Sequence, residues 1–129
     1  MIKFMVLFQK PANKFMVAES RFESAYNDFL ALIERMPNIE RRQVVNVLGS
    51  PLGAVPYNRI LEIYFKDKAT LEASLKSPTG QEAGSELSRR FKPGTYETLF
   101  AEVYEEAGGS TPPTNSADAT NNAKAKDEN

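Results

Sequence analysis

The sequence predicts an α+β domain: a four-stranded antiparallel sheet in β-α-β-β-α-β order, with its helices on one side. Three observations predict it. Four segments carry the β-branched and aromatic residues that suit a pleated surface, and amphipathic helical stretches follow the first and the third of them. The strand residues are also apolar on both faces, so something beyond the helices must cover the sheet. At 129 residues, 41 % hydrophobic and 26 % charged, the chain is sized for one hydrophobic core.

Residues 2–9 place Phe4, Val6 and Phe8 on one face and Met5 and Leu7 on the other, which predicts a central strand. Residues 10–19 include Pro11, Phe15, Met16, Val17 and Ala18 and fit either a loop or an early turn of helix. Ser20 and Glu23 have the spacing of a capping box. Phe22, Tyr26, Phe29, Ile33 and Met36 then recur at threes and fours, an amphipathic helix that Pro37 stops. Residues 39–48 read as a less buried strand, in which Val44, Val45 and Val47 favour extension and Arg42 and Asn46 break up one face. Gly49, Pro51, Gly53 and Pro56 make a loop longer than the usual hairpin of about 2–5 residues. It reads as a functional loop or as an arm that covers a neighbour or a sheet edge.

The third strand, residues 59–65, sends Leu61, Ile63 and Phe65 under the helices and Ile60, Glu62 and Tyr64 to the other face. Asp67 can cap a helix carrying Leu71 and Leu75. Ser77 with Pro78 restarts helix through Leu87 and Phe91, and Pro93 and Gly94 end it. In the last strand, residues 96–104, Leu99, Ala101 and Val103 alternate with Thr98, Phe100, Glu102 and Tyr104. Residues 107–129 contain no large apolar side chain and are rich in Ser, Thr, Asn, Gly and Pro, so a disordered tail is expected after a folded domain at 1–106.

Composition narrows the chemistry. With no cysteine and no histidine there is no disulfide, no thiol nucleophile, no Ser-His-Asp triad, no histidine base and no histidine ligand for haem. No carboxylate run of the calcium-loop type occurs, so no metal and no cofactor is evident. A net charge of -1 gives no attraction to phosphate backbones or anionic lipid, which argues against nucleic acid and membrane as partners. The apolar runs fall short of the ~20 residues of a spanning helix, and no small-residue cleavage site follows the first of them. The expectation is a cytoplasmic protein.

The strand order is that of the ferredoxin-like fold, and it leaves one sheet face to be explained. Ile60, Tyr64, Phe100 and either Met5 or Phe8 cannot all lie under two helices, and Glu62, Asn46 and Glu102 are expected among them. A homodimer packing two such sheets face to face would close an α/β barrel around a cavity with this mixed lining.

The segments MIKFMVLFQKP, MPNIERRQVVNVLGSP, YNRILEIYFKDKATLEASLKSPTGQEAGSEL and TLFAEVYE, together spanning residues 1–106, resemble the EthD family of dimeric α/β-barrel proteins. That family is named for an accessory protein of ethyl tert-butyl ether degradation. The resemblance implies a homodimer and an oxidoreductase or monooxygenase-like role on a small hydrophobic or aromatic molecule. Many relatives carry a histidine and a proline late in the first helix, where this chain has Phe29 and Ala31, so no histidine role carries over.

Candidate residues follow from the faces. Glu62 is a candidate acid or base, against an ion pair with Arg42, Arg59 or the partner subunit. Tyr64 is a candidate for orienting a ligand through its hydroxyl, against plain barrel packing. Asn46 and Phe100 are candidate ligand contacts, and Tyr26 and Phe29 candidate pocket wall or core. Ser77, Pro78, Gly80 and Gln81 read as helix-start chemistry and close packing. The alternatives to an enzyme are a ligand-binding accessory protein and a structural dimer whose interior is filled by side chains.

Overall fold

The computed structural model describes residues 1–10 and 16–106. The expected tail at 107–129 lies outside the described residues, as do positions 11–15. The order is β1 (Ile2–Gln9), α1 (Met16–Ile33), β2 (Arg41–Asn46), β3 (Tyr57–Phe65), α2 (Lys68–Lys76), α3 (Pro78–Arg90) and β4 (Tyr96–Glu102). The strands form one antiparallel sheet in the order β2-β3-β1-β4, the ferredoxin-like arrangement.

Val6 and Phe8 on β1 and Leu61, Ile63 and Phe65 on β3 are fully buried beneath the helices. The Phe8 ring is the hub of this layer. It meets Tyr26 edge-on at 5.6 Å, Phe22 at 5.7 Å and Phe29 at 6.3 Å from α1, and Phe91, just past α3, at 5.0 Å. Such pairs contribute about 0.5–1.5 kcal/mol each beyond their burial.

α1 begins at Met16, so Ser20 lies inside the helix and the expected capping box does not form. Glu23 is used instead in a bond to Arg59. The helix tightens at its end, where Arg35 N–H and Met36 N–H donate to carbonyls three residues back, and Asn38 adopts φ 67° beyond Pro37.

The caps of the second half match the sequence reading. Asp67 accepts from Thr70 N–H at 2.8 Å and from the Thr70 hydroxyl at 2.7 Å, which holds its carboxyl below the usual range. Ser77 ends α2 and starts α3: its hydroxyl donates to the Ser74 carbonyl at 2.6 Å and accepts from Gly80 N–H at 3.0 Å. Buried Ser74 ties this joint to the turn that follows α1 through a 2.7 Å bond to the Pro37 carbonyl.

Three assignments of face are corrected by the register. Phe100 pairs with Phe4, Glu102 with Ile2, and Asn46 with Arg59, so all three point to the helix side rather than to the open face. Phe100 is nonetheless 62 % exposed, because the helices lie over β1 and β3 and leave the β4 edge uncovered. The edge strand β2 is exposed throughout and shorter than predicted. Its loop to β3, residues 47–56, carries Leu48 and Leu52 almost wholly exposed on a turn pinned by the Ser50 hydroxyl.

Gly80 is where α3 presses on α2. A Cβ there would lie 2.2 Å from the Ser74 carbonyl oxygen and 2.6 Å from that of Leu75, both backbone atoms with no room to yield. Gly80→Ala is therefore expected to destabilise the fold by about 2–3 kcal/mol, measured as a lowered urea midpoint at unchanged slope. Gly84→Ala, with nothing within 4 Å of the added methyl, serves as the control and should leave the midpoint unchanged or raise it.

Candidate functional site

The side chains of the open sheet face follow directly from the register. One row across the strands reads Ala101, Lys3, Tyr64, Arg41; the next reads Leu99, Met5, Glu62, Gln43; the third reads Glu97, Leu7, Ile60, Val45. Polar groups thus gather at one end, and the rest of the face is largely apolar, with Leu99 and Val45 40 % and 36 % exposed.

At the polar end the groups are joined. Lys3 Nζ lies 3.1 Å from Glu62 Oε1, and the Tyr64 hydroxyl lies 2.8 Å from the same oxygen and 3.0 Å from Gln43 Oε1. The phenol has one hydrogen to give, and the carboxylate is the stronger acceptor. Both bonds converge on Oε1, leaving Oε2 of Glu62 without a hydrogen-bond partner among the described residues. The Tyr64 ring is flanked by two cations, Arg41 with its guanidinium carbon 4.0 Å from the centroid and Lys3 with Nζ at 5.5 Å. Tyr64 is consequently only 4 % exposed although no helix covers it.

The sequence reading placed Glu62 and Tyr64 correctly on this face. It expected Arg42, Arg59 or the partner subunit to supply the ion partner of Glu62, but both arginines point to the helix side, where Arg42 pairs with Glu34 and Arg59 with Glu23. The partner is Lys3. Lys3, Gln43 and Arg41 were missed, since they lie on strands far away in sequence, and alternation on each strand combined with the sheet register is the signal that would have found them.

Asn46 and Tyr26 come together on the opposite side of the sheet. Arg59 makes two bonds to the Glu23 carboxylate at 2.8 and 2.9 Å, a third through Nε to Asn46 Oδ1 at 3.1 Å, and stacks 4.6 Å above the Tyr26 ring. The bonds to Glu23 hold the guanidinium pKa above its usual value. The Tyr26 hydroxyl is buried without a hydrogen-bond partner among the described residues, and burial pushes its pKa up against the opposing pull of Arg59 and Arg42. Phe29 is core, 1 % exposed. Tyr26 and Phe29 therefore do not line the open face. Phe100 stands apart again, in a groove of about 410 Å³ between α2 and β4 lined by Ile2, Leu71, Phe100 and Ala101 with Lys68 and Glu72 at its rim.

Among the described residues no three carboxylates are placed to hold a metal ion. No described helix is long and apolar enough to cross a membrane.

No family model and no curated protein matches the sequence. Solved structures do match, and they share this ferredoxin-like fold. An EthD family protein of Bacillus halodurans is 21 % identical, with a TM-score of 0.70 over 81 % of this chain and 99 % of its own. A hydroxynitrile lyase of Passiflora edulis is 15 % identical, with a TM-score of 0.61 over 82 % of this chain and 96 % of its own. A cofactor-independent oxygenase of Streptomyces nogalater, SnoaB, is 15 % identical, with a TM-score of 0.57 over 83 % and 96 %. Three further matches, 13 % to 21 % identical, are described as dimeric ferredoxin-like proteins. The fold expected from the EthD resemblance is thus the observed one, and the same fold carries different reactions.

The orphaned hydroxyl of Tyr26 gives a direct check on the helix-side cluster. A buried phenol without a partner carries an uncompensated desolvation cost, so Tyr26→Phe should leave stability unchanged or raise it by about 1 kcal/mol in urea unfolding. A loss of more than that would show that the hydroxyl has a partner in the folded protein.

Proposed function

We propose that two copies of this chain pack open sheet face to open sheet face, and that the interior so enclosed holds a small hydrophobic or aromatic molecule. The observation that carries this reading is the joined Lys3, Glu62, Tyr64 and Gln43 cluster set at the end of a largely apolar, helix-free sheet face. A bound molecule would rest its apolar body on Met5, Leu7, Ile60 and Val45 and turn its polar end to Tyr64 and Glu62. The dimeric matches of the same fold support the pairing.

The chemistry supported by the EthD resemblance is oxidoreductase or monooxygenase-like. Glu62 has one oxygen tied to Lys3 and Tyr64 and the other open, which suits it to take a proton from the bound molecule. With dioxygen as oxidant, an activated CH₂ group becomes a carbonyl, one oxygen atom entering the product and the other leaving as water. The likeness to a cofactor-independent oxygenase supports chemistry of this kind. Carriage of the ligand without turnover is the second reading, favoured by Phe29 standing packed in the core where the resemblance would place a histidine.

Native mass spectrometry of the intact chain, with extraction of any co-purified molecule, tests the proposal. A dimer releasing an aromatic or hydrophobic molecule is expected, and a strictly monomeric protein would overturn it. If the molecule is turned over, aerobic incubation with the protein converts it, and Glu62→Gln slows conversion about 100-fold or more while affinity changes little. A molecule recovered unchanged by wild type and variant alike establishes carriage.

A further inference from the structure

We infer that the interior selects an anionic ligand, an aromatic carboxylate or sulfonate, and that Arg41 is the residue that reads its charge. This inference rests on the dimer-interior reading and adds the ligand class to it. The polar end of the open face holds two cations, Lys3 and Arg41, and one carboxylate, Glu62. Lys3 is matched to Glu62 at 3.1 Å. Arg41 forms no ion pair among the described residues, and its one close partner is the Tyr64 ring, 4.0 Å from the guanidinium carbon. The other carboxylate of this face, Glu97, lies two registers along the sheet on β4, away from Arg41, and accepts from the Tyr57 hydroxyl at 2.9 Å.

A guanidinium stacked on an aromatic ring keeps its N–H fork pointing outward in its own plane above that ring, free to receive a carboxylate or sulfonate edge-on. Covering the face with a second sheet would strip water from this cation and leave a surplus positive charge beside each Tyr64. Such a charge demands a counter-charge. A planar anion supplies it, with its aromatic body on Met5 and Ile60 and its acidic end against the outer edge of the Arg41 guanidinium. The neighbouring Arg42 cannot serve, since it faces α1 and is held by Glu34 at 3.1 Å.

Two fluorescent probes that differ chiefly in one charge test this: 8-anilinonaphthalene-1-sulfonate and its uncharged analogue N-phenyl-1-naphthylamine, titrated against the full-length dimer. The sulfonate is expected to bind about tenfold more tightly, an advantage that shrinks as sodium chloride rises towards ~0.5 M. Arg41→Gln should remove the advantage and leave the affinity of the neutral probe within about twofold, and Arg41→Lys should keep part of it. Equal binding of the two probes by wild type, or an advantage that survives in Arg41→Gln, overturns the inference while the interior site stands. So does an Arg41→Gln variant that weakens the dimer without moving the probe ratio, which would mean that Arg41 pairs with the partner subunit. Loss of sulfonate binding in Phe100→Ser instead would put the probe in the groove beside β4 and equally overturn it. A wild type that binds neither probe, or is monomeric, removes the interior reading and this inference together.

Discussion

The packing of Phe8 against four aromatic rings is the constraint from which the rest of the architecture follows. It fixes α1 and the exit of α3 to one face of β1, and because side chains alternate along a strand, committing Phe8 and Val6 to that face sends Lys3, Met5 and Leu7 to the other. β3 is then locked in the complementary phase by Leu61, Ile63 and Phe65. The position of Tyr64 and Glu62 beside Lys3 is a by-product of the aromatic core on the opposite side. A slip of one residue in β1 would bury a lysine and dismantle both faces together.

Much of this was legible in the sequence, and the failures have a common cause. Spacing and cap chemistry gave the element order, the Asp67 cap and the Ser77-Pro78 start. Close packing at Gly80 was read correctly too. Alternation says which residues share a face but not which face it is. For β1 and β3 the apolar count decided the matter, since the fully apolar trio had to be inside. For β2 and β4 it misled: Phe100 is large and apolar yet sits on the helix side beyond the reach of the helices, and Asn46 is polar yet on that side because Arg59 reaches it. An edge strand can place either kind of residue on either face at little cost, so composition carries less information there.

The candidate site was half legible for a related reason. Glu62 and Tyr64 were found because one strand carries both. Their partners come from β1 and β2, and only the sheet register brings Lys3, Gln43 and Arg41 into the same two rows. The capping box failed differently: Ser20 and Glu23 have the right spacing, but the chain already winds into helix from Met16, and the carboxylate is more useful to Arg59, a half-buried cation with an aromatic floor. Two polar clusters therefore lie back to back, one against α1 and one on the open face, with the sheet between them.

Ser77 has a consequence for the order in which this protein comes apart. A nine-residue helix such as α2 is too short to persist alone in water, and α3 at 13 residues is marginal. One hydroxyl closes the last turn of the first and opens the first turn of the second, while Ser74 beside it holds the turn after α1. Neither short helix can fray at this joint without releasing the other. The pair behaves as one cooperative unit, a single bent helix in energetic terms, whose amides exchange with solvent together and whose loss would uncover one half of the core in a single step.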